Sequence, residues 1–238
     1  MKMLVINLDR ETEKMAFVAR QLESLGLVFE RVSAVDARGL SDEDRHRAVN
    51  GFAWRCATGR SVRPAEIGCA LSHYGIYGRM TEPVCILEDD VELQPGFPEA
   101  LERVGRFIDP EKPQVVLLSD LHAAHAASGE AGSIVRSKDG MCTDGYVITP
   151  SAARTMLRVN LPLEAPCDAW DRWVRRGLIE LYHALPAMVA QRQDVFGSST
   201  SPDFMKPKRR RTLPGEVLHK CVRAVELAVD ELRWRLTR

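Results

Sequence analysis

The stretch "VCILEDDVEL", Val84 to Leu93, decides how the rest of the chain is read. Four apolar residues of strand type run straight into Glu88, Asp89 and Asp90. Adjacent carboxylates repel and raise one another's pKa, so the cluster is unfavourable unless solvent, a helix N-terminus or a cation offsets it. These ten residues alone are readable either as a solvated turn before Pro95 or as a site.

Upstream, "MLVINL" (3–8) is a short apolar run, and from Glu11 onward Met15, Val18, Ala19, Leu22 and Leu25 fall at helical spacing, with Gly26 where a helix would end. A second apolar run, "LVFERVSAV", ends at Val35. Strand, helix and strand within this length predict a right-handed βαβ unit and hence a parallel sheet. Residues 36–63 are polar and read as a long loop with at most a helical turn, the kind of connection that is usually functional. Pro64 suits the first turn of a helix through "AEIGCALSHYGIYGRM".

Downstream, the patterns predict a weakly amphipathic helix over 96–107, a strand at "QVVLLSD", a flexible flap over 121–140, a strand over 141–149, helices over 151–158 and 167–177, and one or two strands over 178–190. The fold class expected is α/β, a mostly parallel central sheet flanked by helices. Residues 1–200 read as one domain and 201–238 as a basic linker with an amphipathic helix. Three apolar runs end in acid, at Asp9, at Glu88 to Asp90 and at Asp120. Ligands of open α/β sheets bind outside the carboxyl ends of the strands, where strand order reverses.

Composition narrows the classes. With 45% hydrophobic and 28% charged residues the chain is ordinary globular protein, and no apolar run approaches the roughly 20 residues of a membrane span. The first ten residues lack the apolar core of a signal peptide, so a cytoplasmic location is expected. The six cysteines are scattered without a C-x-x-C pair and read as small buried apolar residues. Net charge is zero but unevenly placed: Lys206 to Arg238 carries ten basic residues against four acidic, which leaves the body acidic. Phosphate-binding G-x-x-x-x-G-K-[ST] and G-x-G-x-x-G patterns are absent, as is G-x-S-x-G.

Converging carboxylates are hard oxygen donors suited to Mn²⁺ or Mg²⁺ shared with a phosphorylated substrate. Among the histidines, His122 and His125 lie in the Ala-rich flap, His73 is either a satisfied helix residue or a polar group facing the crevice, and His183 is placed to reach a metal from a late strand.

Several segments together resemble glycosyltransferase family 25: "VINLDR" (5–10), "FERVSAVDAR" (29–38), "EIGCALSH" (66–73), "ILEDDVEL" (86–93), "GYVITPSAA" (145–153), "CDAWD" (167–171) and "LPAMVAQ" (185–191). They lie in the family's order. The resemblance implies a GT-A-like nucleotide-diphospho-sugar fold and inverting transfer of galactose or a related hexose from a UDP-sugar to a saccharide acceptor. It implies that Asp90 holds Mn²⁺ or Mg²⁺, with Glu88 or Asp89 helping through water or ribose contact and His183 the further candidate ligand from the late strand, and that Asp168 is the catalytic base, with Asp171 the alternative. It further implies that Asn7, Asp9, Arg10, Asp36, Ser72, His73 and Asp89 bind the donor and that Tyr146 and Gln191 contact the acceptor. Where the family usually has Pro-Asp-Arg after "NLDR", this chain has "ETEK", and Glu13 and Lys14 keep the charge types.

The tail stripe of Leu218, Cys221, Val222, Val225, Val229, Leu232 and Leu236 behind "KPKRRR" suits either an anionic membrane surface or packing on protein. The former fits a lipid-linked acceptor, lipooligosaccharide or LPS core; no nucleic-acid partner is expected. Two rivals are a Mg²⁺-dependent phosphatase or receiver-like domain, and a carbohydrate-binding or scaffold protein without turnover.

Overall fold

The computed structural model describes residues 1–119 and 130–197 together with Val217 and Cys221. Asp120, His122, His125 and nearly all of the tail stripe lie outside the described residues.

In chain order the elements are β1 (Lys2–Asn7), α1 (Thr12–Ser24), β2 (Glu30–Ser33), α2 (Asp42–Ala48), α3 (Gly51–Thr58), α4 (Pro64–Tyr77), β3 (Val84–Glu88), β4 (Val91–Leu93), α5 (Phe97–Phe107), β5 (Gln114–Leu117), β6 (Ile134–Ser137), β7 (Gly145–Ile148), α6 (Pro150–Val159), α7 (Trp170–Arg175), β8 (Glu180–Ala184), β9 (Val189–Gln191) and α8 (Gln193–Phe196). Seven strands form one mixed sheet in the order β2-β1-β3-β7-β5-β8-β6, with β7 and β6 antiparallel to their neighbours. The expected βαβ unit is present: β1 and β2 are adjacent and parallel. After β2 the chain crosses to the other side of β1 to lay down β3, also parallel to β1. Strand order therefore reverses at β1, and the crevice required by that reversal opens at the carboxyl ends of β1, β2 and β3.

Period-2 alternation divides the core into two layers. Leu4, Ile6, Ile86, Val115, Leu117, Tyr146 and Ile148 face one way, packing with Trp54, Ile67, Tyr74, Met156, Trp170 and Trp173 of the helices. Met3, Val5, Cys85, Leu87, Val116 and Val147 face the other way, against Val18 and Leu22 of α1 and Phe97, Leu101 and Val104 of α5. The three tryptophans are fully buried, so truncating any one to alanine costs about 3–5 kcal/mol.

Several local expectations are corrected. The 36–63 loop contains two short helices, started by side-chain caps: Ser41 Oγ accepts from Asp44 N–H at 3.1 Å and Asn50 Oδ1 from Ala53 N–H at 3.2 Å. Trp54 is the one residue of the two helices that is fully buried, which leaves little apolar periodicity to read. The helix over 97–107 is one-sided rather than weakly amphipathic, with Phe97, Ala100, Leu101 and Val104 all buried. Part of the expected flap is the strand β6, paired to β8. In α1 the buried stripe is Lys14, Val18 and Leu22, while Leu25 caps the helix and is exposed. Among the described residues no helix is long and apolar enough to cross a membrane.

Candidate active site

A cleft opens at the reversal point, walled by Ile6, Leu8 and Arg10 at the end of β1 and beyond it, Val35 and Asp36 after β2, Glu88 and Asp89 at the end of β3, and Gly68, Ser72 and His73 on α4. Close approach of α4 to the end of β2 shapes it. A Cβ at Gly68 would stand 2.5 Å from the Val35 carbonyl oxygen, so only glycine lets the two backbones meet there. Ser72 fastens the same contact: its Oγ accepts from Val35 N–H at 2.8 Å and donates to the Gly68 carbonyl at 2.7 Å. One acid anchors the neighbouring rim. Asp36 binds Arg38 and Arg10, and the Arg38 bond first, with Arg10 adding charge, holds its pKa down at about 2.

The three consecutive acids point to three different partners. Glu88, on the same sheet face as Val84 and Ile86, turns toward α4, where His73 Nε2 lies 3.5 Å from Oε1 and Thr143 Oγ1 donates to the same oxygen at 2.7 Å. Asp89 accepts from Asn7 Nδ2 at 2.7 Å, and Asn7 is oriented by Arg31 Nε at 2.9 Å. Asp90, only 4% exposed, meets Lys14 Nζ at 3.8 Å and the Gln191 amide at 3.3 and 3.4 Å. Burial, then repulsion from Glu88, pushes the Asp90 carboxyl up to about 7 against the pull of Lys14. Asp89 is raised mainly by burial. The lysine's single charge thus leaves Asp89 and Asp90 under-compensated, and two hard oxygen donors in that condition fit a hard divalent cation.

His73 sits deeper. Burial works against its charged form, yet contacts with Cys69 and Glu88 raise it to about 9; Glu88 itself is desolvated but held low by His73. His73 Nδ1 meets the Tyr146 hydroxyl at 2.7 Å, and that hydroxyl meets Tyr77's at 2.6 Å. Cys69 is lowered to about 7, first by the Cys167 thiol 3.6 Å away and then, against burial, by His73.

The strand expected over 141–149 is confined to Gly145–Ile148, and the residues before it, Gly140 to Asp144, form an irregular segment that holds Asp168 and Glu88. Gly140 is wedged against Leu117 and Leu181, and Cys142 adopts a left-handed φ of 69°. Cys142 N–H donates to Asp168 Oδ2 at 3.3 Å, while its carbonyl accepts from Trp170 Nε1 at 2.8 Å. Asp168 is half-buried, and burial raises its pKa. Asp144 is 1% exposed; Ser119 Oγ donates to Oδ1 at 2.6 Å, Oδ2 has no partner, and burial lifts the group to about 7.

Of the donor-side residues expected from the sequence, Arg10, Asp36, Ser72, His73 and Asp89 line the cleft. Asn7 lies beneath, holding Asp89. Asp9 points outward, bonded to Arg31 and Ser33, and does not join the wall. Three expectations are corrected. His183 sits on β8, three strand spacings from β3 or roughly 14 Å, with Nε2 against the Asp139 carbonyl at 3.0 Å, so it does not join Glu88 and Asp90. Tyr146 is fully buried under α4 with its hydroxyl engaged, so it meets no acceptor. The Gln191 amide is directed at Asp90 rather than at a sugar. Asp171, the alternative base, is paired with Arg175 one turn on. Lys14 and Asp144 were missed; a lysine at the i−4 position to Val18 on the buried stripe was the available signal.

Residues 1–170 match the family model for "Glycosyltransferase family 25 (LPS biosynthesis protein)". The chain belongs to glycosyltransferase family 25. Relatives include a glycosyltransferase 25 family member of Anopheles gambiae, 38% identical over 101 residues (39% of this chain, 17% of the relative). Procollagen galactosyltransferase 2 of Homo sapiens is 25% identical over 174 residues (67% and 28%). A probable inactive glycosyltransferase 25 family member 3 of Rattus norvegicus is 31% identical over 119 residues (47% and 21%). The chain thus matches less than a third of the length of each of these proteins. A solved structure of the galactosyltransferase LgtC with donor and acceptor sugar analogues aligns at TM-score 0.42 and 14% identity, covering 77% of this chain and 73% of that one. The residues that line the cleft of this family 25 chain lie within the matched residues, as do Asp90 and Asp168 outside the lining; Gln191 lies beyond them.

Proposed function

We propose that this family 25 chain is an inverting, metal-dependent glycosyltransferase that moves a hexose, galactose first among candidates, from a UDP-sugar to a saccharide acceptor of the lipooligosaccharide or LPS type. The observation that carries the reading is Asp89 and Asp90 at the strand-order reversal, beside a cleft whose rim presents Arg10 and Asp36. Asp90 and Asp89 would hold Mn²⁺ or Mg²⁺, which when bound supplies positive charge against the departing diphosphate. Gln191 and Asn7 fix the rotamers of those two carboxylates. Asp36 offers an ionised acceptor to ribose or uracil donors, and Arg10 a cation beside it. Asp168, raised by burial, is suited to take the proton of the acceptor hydroxyl as it attacks the face opposite the leaving group. The basic tail suits attachment at the cytoplasmic face of a membrane, near a lipid-linked acceptor.

The test is UDP release from a panel of UDP-sugars with Mn²⁺. Release is expected with UDP-galactose and should fall at least about 100-fold in Asp90→Ala; release that persists undiminished in that variant overturns the metal assignment. Asp168→Asn should depress kcat and erase the acidic limb of its pH profile, and an unchanged profile moves the base elsewhere. A second reading, a saccharide-binding protein without turnover, is favoured by Lys14, whose ammonium already faces Asp90, and by the rat relative's name. On that reading calorimetry detects acceptor binding while UDP-sugar and Mn²⁺ leave no heat.

A further inference from the structure

On the wall of the cleft lies a cluster with different chemistry from the aspartates. Cys69 and His73 are four residues apart on α4 and so share one helix face, which is turned to the end of β3. Ligand atoms of Cys69, His73 and Glu88 all lie within 4.8 Å of one another, and among the described residues this is the group of three or more His, Cys, Asp and Glu side chains so gathered. A fourth donor, Cys167, brings its Sγ to 3.6 Å from Cys69 Sγ.

We propose that Cys69, Cys167, His73 and Glu88 form a site for a borderline-soft divalent cation, Zn²⁺ before all others. Bond lengths support it. Two thiolates on one tetrahedral zinc, each bonded at about 2.3 Å, stand about 3.8 Å apart, and an imidazole nitrogen and a carboxylate oxygen on the same ion about 3.4 Å apart. The observed separations are 3.6 Å for the sulfurs and 3.5 Å for His73 Nε2 to Glu88 Oε1. The two pairs therefore need only to close on each other. Outer contacts are of the kind that orient zinc ligands: the Tyr146 hydroxyl, itself bonded to Tyr77, fixes the His73 ring through Nδ1, and Thr143 fixes Glu88.

Ligand softness separates this site from the aspartate pair, since two sulfurs and a nitrogen select Zn²⁺ where carboxylates select Mg²⁺ or Mn²⁺. An ion here would tie α4 to the loop that precedes Asp168. The proposal stands independently of glycosyl transfer.

Cobalt chloride added to the full chain under a phosphine reductant provides the test. One equivalent should give a near-ultraviolet thiolate-to-cobalt charge-transfer band and intense visible bands of tetrahedral geometry, both removed by one equivalent of Zn²⁺. Cys69→Ser and Cys167→Ser should each lower the charge-transfer intensity by about half and weaken Zn²⁺ at least tenfold. Asp90→Asn should leave the spectrum unchanged, which keeps the result distinct from that of the Mn²⁺ assay. Absence of a charge-transfer band in the unsubstituted chain overturns the proposal, as does a band that keeps its full intensity in either cysteine variant.

Discussion

Asp144 shows how much one buried carboxyl can weigh. Its Oδ1 has two donors, but Oδ2 has none, and the group is raised to about 7 by burial. A carboxyl whose folded-state pKa exceeds its unfolded value costs nothing below the unfolded pKa near 3.8, and its cost grows as pH rises toward about 7. Asp144→Asn, which keeps the acceptor for Ser119 and cannot ionise, should therefore exceed the parent in thermal unfolding by an amount that widens from pH 5 to pH 8. The gain is on the order of 3 kcal/mol, or several degrees. A difference that does not change with pH would show that Asp144 is not ionising in place. Lys14 poses the complementary question. It is a cation on an otherwise apolar stripe, tolerable because Asp90 is beside it. Its burial was visible only as a lysine in register with Val18 and Leu22.

Within α4, two glycines at the same helical propensity should respond oppositely. Gly75 is exposed, and a Cβ there meets nothing within 4 Å, so Gly75→Ala should stabilise by about 1 kcal/mol. Gly68→Ala gains the same propensity but drives a methyl into the Val35 carbonyl at 2.5 Å. It should be destabilising by about 1–3 kcal/mol net and should widen the cleft, raising KM for the sugar nucleotide. Urea unfolding of the two single variants decides this: equal effects would mean that α4 and the end of β2 are not in rigid contact. The helix itself was legible from Pro64, placed where a missing N–H is harmless, with Glu66 Oε2 accepting from Arg63 N–H at 2.9 Å. Short elements were less so. The three-residue strands β4 and β9 pair with each other immediately after the acids, and no period can be read in three residues.

Taken whole, the molecule concentrates its polar chemistry at one sheet edge, and ligand binding should be felt there. UDP with Mn²⁺ at about 100 times its Kd should add about 2.7 kcal/mol of stability. It should slow amide exchange in 8–11, 34–38 and 88–90, while leaving β6, at the far edge of the sheet, unaffected. Slowing spread evenly over all seven strands, or confined to β6, would place the ligand elsewhere.

The ordered segments of sequence carried the family, the βαβ start, the parallel strands and the acid at their carboxyl ends, because apolar periodicity and strand-end composition are local properties. Only the tertiary structure decided the partners of those acids. Parity along β3 turns Glu88 toward His73, and the crossing of the chain from β2 to β3 places Asp89 over Asn7. Three intervening strand spacings remove His183 from the group. Cys69 and Cys167, 98 residues apart, read as unrelated apolar residues in sequence, and folding sets their sulfurs 3.6 Å apart. Side-chain direction depends on register and strand order, and these are settled by the burial of both sheet faces at once, which no single segment contains.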